Sequence, residues 1–85
     1  MNASLSKAAL EQALRDASAS HHNYEENVLD GVRDGYWSGW YAAYVLGRLG
    51  DFTSPSELSS LLESVSGDGD WFSIASTTIY EKYNF

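Results

Sequence analysis

Two histidines and two glutamates stand close together in the sequence, and both residue types bind metals. They are His21, His22, Glu25 and Glu26. The separation of His22 from Glu26 places both side chains on one face of a helix. Without further ligands from elsewhere, such a group forms a poor metal site, so an ordinary helix start is the preferred interpretation. We expect no metal and no cofactor; a small metal protein or enzyme using His21, His22 and Glu26 is the second alternative.

Asp68, Gly69 and Asp70 follow one another as at the start of a calcium-binding loop. The glycine and the glutamate that such a loop needs at later positions are missing. We therefore interpret this segment as a turn in which Asp70 caps the next helix.

Catalytic motifs are missing as well. Serine, histidine and aspartate all occur, but the sequence contains no nucleophile elbow and no glycine-rich phosphate loop. The glycines of the central stretch do not follow a strand, which is the context that dinucleotide binding requires. We therefore predict a protein that is not an enzyme.

The composition indicates one acidic domain. The 85 residues include twelve acidic and five basic side chains, giving a net charge of −7, and no cysteine. This balance argues against direct binding to nucleic acid or anionic membranes and favours a basic protein partner, with solubility as the alternative use of the charge. The N-terminus lacks the features of a signal peptide and no apolar run is long enough to span a membrane, so we expect a cytoplasmic protein.

Residues 23–50 hold most of the aromatic side chains and predict a long central helix. Asn23 is a candidate cap, and positions four apart sort into a column of small residues and a column of large ones. Each interior glycine costs about 1 kcal/mol relative to alanine, so a break near Asp34 and Gly35 into two shorter helices is the alternative. The small-residue column comprises Gly31, Gly35, Gly39, Ala43 and Gly47.

Three further helices are predicted around this one. The first covers residues 6 to about 20 and is followed by a polar joint at 18–23. Ser54, Pro55 and Glu57 form a helix-start signal with a capping box, and 71–83 is predicted as a helix rather than a lone strand. The fold class is thus all-α, a small bundle of about four helices. We also expect an alanine ridge on the first helix to pack into the glycine column; this ridge is Ala9, Ala13 and Ala17.

An acidic and aromatic face is the candidate partner-binding site. On the predicted central helix, carboxylates at every fourth position recur at about 6 Å, close to the phosphate spacing of a nucleic-acid strand. The alternatives are a solvated acidic face and aromatic side chains that fill the core. The candidate residues are Glu25, Glu26, Asp30, Asp34, Tyr36, Trp37, Trp40 and Tyr41.

In overall profile, a short acidic domain rich in aromatic residues and free of cysteine, the whole chain resembles phage-encoded inhibitors of bacterial defence, the anti-CRISPR and antirestriction proteins. The resemblance assigns no individual residue. It implies an inhibitor that blocks a basic, nucleic-acid-handling surface of its target, in the manner of a DNA mimic. The first alternative is a structural or regulatory module that self-associates through the central helix, and a monomer and a homodimer both fit the sequence.

Overall fold

The computed structural model describes residues 6–32 and 35–83. In these two ranges the chain forms four helices and no strand, which confirms the prediction of a small all-α bundle. The described helices are all too short or too polar to cross a membrane. In chain order the helices are α1 (Lys7–Asn27), α2 (Trp37–Leu49), α3 (Pro55–Ser64) and α4 (Trp71–Tyr83).

The first helix starts where the sequence predicts and continues well past its predicted end. The Ser6 hydroxyl oxygen accepts a hydrogen bond from the Ala9 N–H at 3.1 Å and caps the helix. No glycine or proline interrupts 7–27, so α1 runs through the polar segment 18–23. The predicted joint is therefore wrong, and Asn23 lies inside a helix instead of capping one.

The predicted single helix over 23–50 is also wrong. The chain leaves α1 after Asn27, and Asp30 and Gly31 take left-handed backbone angles, with φ of 58° and 80°. The Gly31 N–H donates to the Glu25 carbonyl oxygen at 2.8 Å, which satisfies a carbonyl at the helix end. The alternative of two shorter helices is closer to the structure, although α1 ends at Asn27, eight positions before Gly35, and α2 begins only at Trp37.

The expected packing of an alanine ridge into a glycine groove is not present. Gly31 and Gly35 lie in the connection between helices, and a Cβ added at Gly47 would meet nothing within 4 Å. A Cβ at Gly39 would lie 2.6 Å from the Tyr36 ring of the same segment, not from α1. Ala13 is instead completely buried in a core that includes side chains of all four helices.

The predicted helix starts of α3 and α4 are confirmed. The Ser54 hydroxyl oxygen accepts from the Glu57 N–H at 3.2 Å, with Pro55 at the first helical position. The Asp70 carboxylate accepts from the Phe72 N–H at 3.0 Å. The Glu57 side chain accepts a hydrogen bond from the Tyr83 hydroxyl at 3.0 Å, and so joins the end of α4 to the start of α3.

The helices pack in an order that makes α1 and α2 the centre of the bundle. α1 packs against both α2 and α4, and α2 also packs against α3. α2 runs antiparallel to α1, because Asp16 pairs with Arg48 near the end of α2 while His21 contacts Trp40 near its start. The fully buried core side chains are mostly aliphatic: Leu10, Leu14, Val45, Leu58, Leu62 and Ile79. This core places the end of α1 beside the start of α2.

Candidate functional site

An open cleft of about 420 Å³ lies where α1 ends and α2 begins. The last two turns of α1, the connection and the first two turns of α2 all contribute to it. We call it the corner cleft; its lining residues are His21, His22, Glu25, Glu26, Gly31, Trp37 and Tyr41.

Helical spacing explains which α1 side chains reach the cleft. His21 continues the buried stripe of Leu14 and Ala17 by one more turn, and only 5% of its surface is exposed. Glu25 follows one turn later, with its carboxylate 3.9 Å from His21 Nδ1. His22 and Glu26 occupy the neighbouring, exposed face of the same turns. The cleft thus has a buried imidazole at its base and carboxylates at its edge.

Aromatic rings from three helices form a continuous network beside the cleft. His21 contacts the Trp40 and Tyr41 rings, with centroids 5.4 Å and 5.9 Å apart. Trp37 contacts Tyr41 edge to face at 5.3 Å and Trp71 at 5.7 Å. Edge-to-face pairs of this kind add about 0.5–1.5 kcal/mol each beyond simple burial. The network therefore fixes the two aromatic walls of the cleft, Trp37 and Tyr41, in defined orientations.

Trp40 packs behind this wall against α1. Its ring centroid lies 4.7 Å from that of Tyr24. Its indole N–H is buried and has no hydrogen-bond partner among the described residues. A buried donor without a partner costs about 1–3 kcal/mol of folding free energy. The ring contacts of Trp40 with His21 and Tyr24 offset this cost.

The connection beside the cleft exposes large apolar side chains. Within 6–32 and 35–83 the exposed ones are Val28, Val32 and Tyr36, with 65%, 64% and 72% of their surface accessible. All three belong to the one segment 28–36. Asp30, within this segment, and Glu26, just before it, are also exposed. We call these five side chains together the corner face.

The arginines of the described helices pair with carboxylates elsewhere in the bundle. Arg15 binds Glu11 at 2.7 Å and also pairs with Asp70, and Arg48 pairs with Asp16. These guanidinium groups hold the pKa values of Asp70 and Asp16 below their usual range, mainly through hydrogen bonds. Residues 21–41 carry four carboxylates and one basic side chain, Arg33, so the region is net acidic; Arg33 and Asp34 lie outside the described residues.

The structure brings four of the eight predicted partner-binding residues together in the cleft, although not as a helical ladder. Glu25, Glu26, Trp37 and Tyr41 line the cleft. The prediction of regularly spaced carboxylates along one helix is wrong, because Glu26 lies in α1 while Asp30 lies in the connection with a left-handed backbone. The remaining candidates are distributed as follows: Asp30 and Tyr36 on the corner face, Trp40 behind the cleft, and Asp34 outside the described residues.

Sequence reasoning missed two residues of this site in the roles they play. Tyr24 joins the aromatic network, and His21 forms the base of the cleft instead of lying in a solvated joint. A signal for His21 was present, because it stands four positions after Ala17 in the apolar stripe of the first helix.

The chemistry of the corner cleft is that of anionic and aromatic groups. In the described part of the chain no three histidine, aspartate or glutamate side chains are grouped so that they could hold a metal ion. Carboxylates beside aromatic faces attract organic cations instead, by charge and by cation–π contact.

Comparison with known proteins gives no family assignment: no protein family, curated protein or solved structure matches the chain. The similarity of its profile to anti-defence inhibitors therefore stays a prediction. The functional inference rests on the corner cleft and the corner face.

Proposed function

We propose that the protein is a non-enzymatic inhibitor that uses the corner face to cover a basic surface of a target protein. The observation that carries this proposal is the joint exposure of Val28, Val32 and Tyr36 with Glu26 and Asp30 in one short region. In a small domain, apolar side chains exposed together and rimmed by charge are typical of a protein interaction site.

The charges favour a basic partner. The chain carries a net charge of −7, and residues 21–41 contain four carboxylates against one basic side chain, Arg33. Opposite charge steers the two proteins together, while burial of the valines and Tyr36 slows their separation. Surfaces that bind nucleic acid are rich in lysine and arginine, so a nucleic-acid-processing protein or complex is the proposed target.

The proposal depends on total charge and apolar area, not on a regular copy of the phosphate backbone. Glu26 and Asp30 are placed by different structural elements and do not repeat along one helix axis. Competition with DNA or RNA would follow from occupying the same basic surface. The inhibitor would therefore compete with nucleic acid because it covers the same basic surface with negative charge, and not because it reproduces the phosphate spacing.

A charge-reversal pair tests the proposal. The variant Glu26→Lys/Asp30→Lys is compared with Asp68→Lys/Glu81→Lys, which makes the same change in net charge at exposed positions outside the corner. The tagged parent is used to capture proteins from a bacterial lysate, and these are eluted over a salt gradient and purified. Their binding to nucleic acid is then measured with and without the added parent. We expect the parent and the Asp68/Glu81 variant to compete, and the Glu26/Asp30 variant to fail.

Equal competition by both variants, or a captured protein whose nucleic-acid binding is unaffected by the parent, would contradict the proposal. Steered binding also weakens as salt rises, because exposed charges are screened beyond about 8 Å at physiological ionic strength. Binding that is indifferent to salt would count against a charge-based interface.

Self-association is the second candidate, and the exposure of Val28 and Val32 is the observation that favours it. An apolar interface between two copies should persist at high salt. Sizing of the parent and of Val28→Ser/Val32→Ser over a concentration series distinguishes the two functions. A salt-resistant dimer in the parent that becomes a monomer in the variant would favour self-association over inhibition of a basic target.

A further inference from the structure

We infer that the corner cleft is a receptor for one guanidinium group, supplied by an arginine side chain of the basic partner. The inference rests on the proposed function for the source of the arginine. The cleft itself supplies the chemistry of recognition, because it combines aromatic walls, carboxylates and a helix end.

The aromatic walls suit a planar cation. Trp37 and Tyr41 both line the cleft and meet edge to face, with their ring planes 81° apart. Trp71 contacts both rings from α4, at 5.7 Å and 6.0 Å, and so supports the wall from the side of a third helix. A guanidinium stacks on tryptophan and tyrosine faces more readily than an ammonium does. Rings already held in place lose little entropy when they bind.

The carboxylates supply the opposite charge. Glu25 and Glu26 both line the cleft from the last turn of α1. The Glu25 side chain is only 20% exposed, so a cation that reaches it is screened less than at the open surface. A guanidinium has five N–H donors in a fixed plane and can bond to one or two carboxylates at once.

The end of α1 adds a second attraction for cations. The carbonyl end of a helix carries a partial negative charge, and it is stabilised by positive charge nearby. The last turn of α1 contains no basic residue, although α2 and α4 contain Arg48 and Lys82 in theirs. An arginine in the corner cleft would place a positive charge beside this helix end, whose own last turn supplies none.

The cleft has room for an arginine side chain, and its lining disfavours anions and metal ions. Its volume of about 420 Å³ falls within the roughly 300–1,000 Å³ range of small-ligand sites. Two carboxylates at the edge disfavour an anion, and the described residues offer no group of three metal ligands. A guanidinium satisfies the walls, the carboxylates and the helix end together.

Nα-acetyl-arginine amide is the probe for this inference, because it presents the side chain without a partner protein. The matched control is Nα-acetyl-citrulline amide, which has nearly the same shape but no charge. A second control is Nα-acetyl-lysine amide, whose side chain is charged but lacks the planar group. Binding is followed by chemical-shift changes of the tryptophan indole and His21 ring protons. We expect saturable binding of the arginine probe, weaker binding of the lysine probe and none of the citrulline probe.

Variants locate the binding in the cleft. Glu26→Gln removes charge at an exposed position and leaves the fold intact, as circular dichroism would verify. We expect this variant to bind the arginine probe with about tenfold lower affinity, since a charge-assisted hydrogen bond is among the stronger polar contacts. Glu81→Gln, an exposed change outside the cleft, should leave the affinity unchanged. Equal loss in both variants, or equal binding of arginine and citrulline probes, would overturn the inference.

The outcomes separate this inference from the proposed function. If the arginine probe does not bind while charge reversal at Glu26 and Asp30 still abolishes competition with nucleic acid, the cleft is not the receptor and the inhibitor proposal stands. If the probe binds with the expected selectivity and the parent competes with no nucleic-acid-binding protein, the cleft stands and the inhibitor proposal fails.

Discussion

The aliphatic core and the aromatic corner of this bundle use apolar side chains in opposite ways. In the core, Leu10, Leu14, Leu58, Leu62 and Ile79 have no exposed surface. At the corner, Val28, Val32 and Tyr36 keep most of their surface accessible, next to carboxylates and an open cleft. Burial of a leucine contributes about 1.5–3 kcal/mol to folding, and an exposed valine contributes almost none of this. Stability is therefore concentrated in the core, and the apolar surface of the corner stays accessible to solvent.

The largest expected effect comes from a core truncation. Leu62→Ala removes a completely buried side chain of α3 and should lower the free energy of unfolding by about 2–5 kcal/mol. Val32→Ala removes methyl groups that are already exposed and should change it by no more than about 0.5 kcal/mol. Urea unfolding followed by far-UV circular dichroism measures both. Equal losses would break the contrast, because they would mean that the corner is buried in solution.

A pair of glycine substitutions should give effects of opposite sign. Gly31→Ala forces a side chain into a left-handed position with φ of 80° and should cost about 1–2 kcal/mol. Gly47→Ala lies inside α2, where an added Cβ meets nothing within 4 Å, and should stabilise by about 0.5–1 kcal/mol. Thermal unfolding midpoints of the two variants test this. A stabilising Gly31→Ala would mean that α1 continues through the connection.

The smallest expected effect concerns the two exposed ion pairs between helices, Arg15 with Asp70 and Arg48 with Asp16. Hydrogen bonds from Arg48 and Arg15 lower the pKa values of Asp16 and Asp70. In the unfolded chain these groups take up protons near their ordinary value of about 3.9. Their contribution to stability is therefore complete well above that pH and is lost as the pH falls through the lower, folded values. Both pairs are exposed, so the contribution is small and decreases with salt.

The variant Asp70→Asn isolates this effect, because asparagine keeps the helix cap and removes the charge. Its free energy of unfolding should decline less steeply than that of the parent below about pH 4. The control Asp68→Asn removes an exposed carboxylate from the same turn and should follow the parent curve. Identical slopes for parent and Asp70→Asn would show that the Arg15 pair does not form in solution.

Local signals in the sequence predicted the second half of the fold well. Ser54 and Pro55 start α3, and Asp70 starts α4, because a cap satisfies backbone N–H groups within a few residues and needs no distant partner. Ser6 at the start of α1 belongs to the same class. These short-range hydrogen bonds can be inferred from adjacent residue types alone.

In the central stretch helical periodicity and local turn chemistry predict different structures, and the turn is the one that forms. Glycines at every fourth position suggested a packing groove, yet Asp30 and Gly31 are a common turn pair and adopt left-handed angles here. Polar residues such as Ser18 and Asn23 suggested a joint, yet nothing in 7–27 interrupts a helix. The cleft could not be predicted at all, because it is formed by residues that only the antiparallel docking of α2 on α1 brings together.

The aromatic network also gives the protein a built-in optical reporter. Trp37, Tyr41 and Trp71 are held edge to face across α2 and α4, and Trp40 stacks near Tyr24 of α1. Rings fixed in such asymmetric surroundings produce near-ultraviolet circular dichroism, which disappears when helices persist without docking. A single spectrum can therefore tell a properly assembled bundle from a loose collection of helices, in the parent and in every variant described above.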